Sequence, residues 1–124
     1  MEFRDNKAIY LQIAEYVCEH ILLENWKIDE KVPSVRELAV QMEVNPNTVM
    51  RTYELLQNKN IINNKRGIGF FVAEDATENA RNYKKTMFID DELPVLFRNM
   101  YLLSIGLDEL KTKYETFVKE NFKA

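Results

Sequence analysis

The chain has 124 residues, 46 % of them apolar and 30 % charged, enough of the first to bury a core and enough of the second to stay in water. No apolar run approaches the roughly 20 residues of a membrane span, and charge in the opening Met-Glu-Phe-Arg-Asp leaves no core for a secretory signal. A single cysteine, Cys18, excludes an internal disulfide, and a cytoplasmic protein is expected.

Residues 1–7 are polar and read as an arm. From Ala8 to Trp26, Ile9, Ile13, Val17 and Ile21 recur four apart, with Tyr10, Ala14 and Cys18 widening the stripe, which is the helical period. Trp26 is expected to close the same core. Cys18 on that stripe reads as a small buried hydrophobe. His20 has no second histidine to share a metal with, so neither a metal site nor a cofactor is expected. Residues 27–32 read as a short connector.

Two helix starts follow. Ser34-Val35-Arg36-Glu37 has the Ser-x-x-Glu form of a capping box, opening a helix over 35–42 that buries Val35, Leu38, Ala39 and Met42. Asn45-Pro46 pairs an N-cap acceptor with proline at the first helical position, opening a second helix over 46–58 with Val49, Tyr53 and Leu56 inward. Only three or four residues separate the two helices. Such a pair is a helix-turn-helix, whose second helix enters a DNA major groove. Arg36 faces out near the first start, where a phosphate or base contact is the favoured reading over a solvated arginine. Asn47, Thr48 and Arg51 share the outward N-terminal half of the second helix, with side chains suited to adenine, to phosphate or a thymine methyl, and to guanine. Any surface helix has a polar face, and the surrounding architecture decides between the readings.

Ile61-Ile62 and Phe70-Phe71-Val72 are β-prone runs around a turn that bears Lys65, Arg66 and Gly67, a basic tip placed for phosphate or minor-groove contact. The hairpin makes the helix-turn-helix winged. Charge distribution fits a nucleic-acid face better than the net −3: between Lys31 and Val72, six basic residues (Lys31, Arg36, Arg51, Lys59, Lys65, Arg66) stand against three acidic ones (Glu37, Glu43, Glu54).

Residues 74–89 turn polar without sustained periodicity and read as a linker, with at most a helical piece. Beyond Asp90-Asp91 a helix over 92–104 carries Leu93, Leu96, Phe97, Met100 and Leu103 on one stripe. Gly106 suits its C-cap, and Asp108 suits the N-cap of a last helix over 109–121 striped by Leu110, Tyr114, Phe117 and Val118. Two helices of about thirty residues cannot bury both stripes alone, so a second copy of the chain is the simplest partner.

The segments VPSVRELA, VNPNTVMRTYELL, NII and GIGFFV, in this order and spacing, resemble the DNA-binding domain of the GntR family of bacterial transcription regulators. Asn-Pro-Asn-Thr-Val and the opening IYLQIAEYV resemble the YtrA subfamily in particular. The resemblance covers roughly the first 73 residues. It implies DNA-contact roles for Ser34, Arg36, Asn47, Thr48 and the wing from Lys65 to Gly69, and a short two-helix tail that mediates dimerisation. Two positions depart from the family pattern. Met50 stands where many members carry a base-reading Arg, and Asn60 stands for a glycine, though Asn also tolerates the left-handed conformation.

The expected fold is therefore mainly α with a small β-hairpin: a winged helix-turn-helix over 1–73, a linker over 74–89 and a two-helix dimerisation segment over 90–124. The expected function is sequence-specific binding of a palindromic double-stranded DNA operator by a homodimer acting as a repressor. No Ser/His/Asp or Cys/His set and no phosphate-binding glycine pattern supports an enzyme. A small-molecule effector has no support either, since the tail lacks His, Cys and any pocket signature. The rival reading is a winged helix kept as a protein-interaction module without DNA binding.

Overall fold

A computed structural model describes residues 2–3 and 6–122. In chain order it contains α1 (Ile9–Leu22), α2 (Val35–Met42), α3 (Pro46–Asn58), β1 (Ile62–Lys65), β2 (Gly69–Val72), α4 (Ala76–Asp91), α5 (Leu93–Leu102) and α6 (Leu107–Asn121). These elements divide into two compact units, Met1–Lys85 and Thr86–Ala124.

In the first unit, α1 stops four residues earlier than its apolar pattern suggests. The Asn25 and Trp26 amides both donate to the His20 carbonyl, and Glu24 takes a left-handed conformation (φ 61°). The turn folds Trp26 back until its indole stacks on His20, 4.8 Å between centroids, and Tyr16 meets the His20 ring edge-on at 4.4 Å. Trp26 is partly buried against the core, as expected. Ile9, at the start of the stripe, is exposed, while Gln12 is buried and donates from Nε2 to the Lys7 carbonyl.

Both capping signals operate. Ser34 Oγ accepts from the Glu37 amide at 3.0 Å, and Glu37 Oε1 accepts from the Ser34 amide at 2.8 Å. That second bond holds the Glu37 carboxyl below its ordinary range. Asn45 Oδ1 accepts from the Asn47 amide at 2.8 Å, with Pro46 at the first helical position. The turn between α2 and α3 closes through a left-handed Glu43 (φ 56°) and the Val44 amide on the Ala39 carbonyl.

Residues 27–32, expected as a connector, also bridge to the sheet along β2. The Asp29 amide donates to Val72 O, the Val72 amide to Glu30 O and the Val32 amide to Phe70 O, with Lys31 opposite Phe71. The sheet itself has two strands, and this segment adds backbone bonds along the second edge of β2. On its other edge, β1 pairs antiparallel with β2 in the register Ile62↔Val72 to Lys65↔Gly69. Its first strand runs further toward the tip than Ile61-Ile62, so only Arg66, Gly67 and Ile68 form the turn. The turn closes by the Ile68 amide on Lys65 O, and Gly67 supplies φ 77°.

The core joins Ile13, Val17 and Ile21 of α1 to Leu38, Val49, Tyr53, Leu56, Ile61, Ile62 and Val72, all 2 % exposed or less. Cys18 lies among them, and desolvation pushes its thiol up to about 12, which makes it inert at neutral pH. Asn60 is left-handed (φ 59°) and lets α3 turn directly into the sheet.

The segment expected as a linker is mostly helix. In α4, Ala76 and Ala80 are fully buried one turn apart, Tyr83 packs beside them, and Asn79 Nδ2 donates to Asn60 O at 3.1 Å. The fully buried side chains are alanines, so the helix adheres mainly by close approach without a large apolar stripe.

In the second unit, Asp90 and Asp91 end α4 instead of leading into the next helix. Pro94, the second residue of α5, has no N–H for the preceding turn, and the helix breaks at Glu92. Ser104 (φ 57°), not Gly106, takes the left-handed position after α5, and the Ile105 amide returns to Met100 O. Gly106 is instead the N-cap residue of α6, and Asp108 lies inside its first turn with Glu109, where acidic side chains suit the helix dipole.

Candidate nucleic-acid interface

The helix-turn-helix is held as one piece. Tyr53 of α3 is fully buried, donates its hydroxyl to the Pro33 carbonyl at 2.6 Å, and meets Phe70 of the wing edge-on at 5.0 Å. Burial raises its hydroxyl pKa, so the donor stays protonated. Thr52, also fully buried, donates from Oγ1 to the Tyr10 carbonyl at 2.7 Å and ties α3 to α1. A single side chain thus fixes α3 to the segment before α2, and its neighbour fixes α3 to α1.

On this frame Asn47 and Arg51 are exposed, Thr48 is half-buried, and Met50 joins the outer surface of α3. Asn47 is free in its side chain because its amide, not its carboxamide, meets the Asn45 cap. Arg51 is exposed yet restrained: its Cζ sits 3.8 Å from the centroid of the Tyr10 ring. Arg36 is exposed in the first turn of α2. Ser34 uses its oxygen as the cap acceptor, which leaves the hydroxyl hydrogen available as a donor.

Arg66 and Gly67 occupy the wing tip, both exposed. Lys65 lies back on the sheet, its Nζ 4.3 Å above the Phe71 ring. Lys31 was counted in the basic balance but given no contact role by sequence, and its bridge to Phe71 brings it here. Its Cε lies 2.8 Å from where a Cβ on Gly69 would stand, so the Lys31 stem crosses the bare Gly69 backbone. Cross-strand register puts Lys31, Lys65, Gly69 and Phe71 on one face of the sheet. The hint in the sequence was its place in the basic balance of residues 31–72.

A family model described as bacterial regulatory proteins of the gntR family matches residues 9–72. That span runs from the first residue of α1 to the last of β2. The chain belongs to the GntR family. Its members are DNA-binding transcriptional regulators, not enzymes. The repressor YtrA of Bacillus subtilis is 36 % identical over 107 residues, 86 % of this chain and 82 % of that one. The B. subtilis HTH-type regulator YhcF is 43 % identical over 75 residues, and the match spans 62 % of its length. Among solved structures, a GntR-family regulator from Bacteroides thetaiotaomicron aligns with a TM-score of 0.72 and 45 % identity, covering 91 % of this chain and 98 % of that one. The winged-helix fold expected from the sequence is therefore that of its relatives.

The tail of this GntR chain buries little of its expected stripe. Of the eight residues expected on the dimer stripe, Met100 is buried within the chain, and Leu93 and Leu110 are half-buried. Leu96, Phe97, Leu103, Tyr114 and Phe117 are exposed, the last four by more than half. Val95, Tyr101, Leu102, Leu107 and Phe122, which the stripe left out, are exposed as well. Among the described residues no helix is long and apolar enough to cross a membrane.

Proposed function

We propose that this chain is a cytoplasmic repressor that binds a two-fold symmetric operator as a homodimer. The observation that carries the DNA-binding half is the family match from α1 through β2, which spans every element of the winged helix. In this reading α3 enters the major groove, Asn47 pairs with adenine, and Arg51 meets guanine or phosphate. Thr48 takes a phosphate or a thymine methyl. Ser34 and Arg36 hold phosphate at the start of α2, and Lys65, Arg66 and Gly67 bring the wing to the backbone, with Lys31 beside them. Phosphate contacts position the protein, and the few side chains of α3 specify the site.

Repression is supported by YtrA, which carries that description and aligns over most of both chains. Dimerisation is supported by the apolar side chains left bare in the tail, a density that a monomer in water does not tolerate well. Leu93, Leu96, Phe97, Met100, Leu103, Leu110, Tyr114 and Phe117 are the proposed interface set. A dimer bound across a promoter excludes polymerase by occupancy, so no effector domain is needed for the basal effect.

The test is selection of duplexes from a random pool by the purified protein at two salt concentrations, with its mass measured by light scattering. A dimer that enriches a palindrome, with affinity falling as salt rises, is the expected result. A dimer that ignores DNA at every salt would sink the proposal in favour of a protein-interaction module. A monomer that selects half-sites would leave the winged helix its role and overturn the account of the tail.

A further inference from the structure

We infer that Tyr10 is a positioning residue for DNA recognition, its ring holding the Arg51 guanidinium ready for the duplex. The inference rests on the proposed placement of α3 in the groove. Arg51 is the one basic residue of α3, so charged readout by this helix depends on it. The neighbouring Met50, also exposed, can offer only apolar contact.

The guanidinium carbon stands 3.8 Å over the Tyr10 centroid, the height of a stacked cation and ring. Stacking engages the flat face of the guanidinium and leaves its N–H donors in the plane, where a guanine edge would meet them. The backbone beneath the ring is itself anchored. Tyr10 is the second residue of α1, half-buried, and its carbonyl accepts from Thr52 Oγ1 at 2.7 Å. Thr52 is fully buried and directly follows Arg51, so one short bridge ties the backbone that bears the ring to the backbone that bears the cation. A free arginine gives up several rotors when it binds; here much of that freedom is already gone before DNA arrives.

A duplex selected by the wild-type protein, and a random duplex, serve as probes for Tyr10→Phe, Tyr10→Leu, Arg51→Ala and the Tyr10→Leu/Arg51→Ala pair. Tyr10→Phe keeps a ring face and should stay within about twofold of wild type on the selected duplex. Tyr10→Leu should lose about five- to tenfold on the selected duplex and little on the random one. In the Arg51→Ala background the same change should add nothing. Equal loss on both duplexes, or the same loss with and without Arg51, would make Tyr10 a packing residue and overturn the inference. Should the leucine variant melt early, Tyr10→Gln removes the ring while keeping the chain's reach and gives the same comparison. If Arg51→Ala leaves the selected duplex bound as before, Arg51 is not a reader and the inference falls with it. Continued selection by the other contacts would leave the proposed function standing.

Discussion

The two units solve the same problem in opposite ways. In the first, apolar side chains from α1, α2, α3, the sheet and α4 meet around Tyr53 and Leu56, and the core closes within one chain. In the second, α5 and α6 have comparable stripes, yet among their described residues only Met100 is buried. Three helices, a sheet and a covering helix can surround a centre, whereas two short helices have none to surround. The first unit is thus a self-sufficient reader, and the second presents surface that asks for a partner.

The sharpest way to break this contrast is to attack each unit where it should be strong. Leu56→Ala leaves a cavity in a fully buried site and should cost about 2–5 kcal/mol in urea unfolding. A loss under half a kilocalorie would mean the closed core is not what stabilises the reader. Phe97→Asp in the tail should leave the thermal transition of the first unit in place. It should also weaken self-association about a hundredfold or more, seen as a concentration-dependent fall in mass. Unchanged mass would put the partner surface elsewhere.

Smaller changes sharpen the comparison inside the reader. Tyr53→Phe removes the hydroxyl from the Pro33 carbonyl and should cost about 1 kcal/mol, since that carbonyl then lacks its donor. The smallest effect is acid dependence at the α2 cap. The folded Glu37 carboxyl titrates below its ordinary 4.5, so its contribution is complete above that value and disappears as pH falls through the lower, folded one. Glu37→Gln keeps an acceptor and should flatten stability in that acid window while changing little at pH 7. An identical acid profile for both proteins would show the cap to be electrostatically silent.

Legibility in the sequence followed the range of the interaction. The bounds of α2 and α3 were readable because Ser34, Glu37, Asn45 and Pro46 act on their own backbone within three residues. Asp29–Val32 looked like a connector because its strand character is borrowed from β2, across the whole helix-turn-helix. The α4 helix was hidden because its anchors, Ala76 and Ala80, carry almost no hydrophobic signal. Arg51 was read as an outward cation, which it is, but nothing near it in sequence announces Tyr10. The tail stripe was visible as periodicity, but periodicity alone does not tell that Met100 is buried and its stripe neighbours Phe97 and Leu103 are exposed.

The backbone bonds between Asp29–Val32 and β2 also bear on how the first unit opens. They fasten the chain on both sides of the helix-turn-helix, closing a loop of about forty residues. Neither helix can peel far away without straining that clasp. The Val32 and Val72 amides should therefore exchange with solvent only when the reader opens as a whole, which makes these two protons a gauge of its cooperativity.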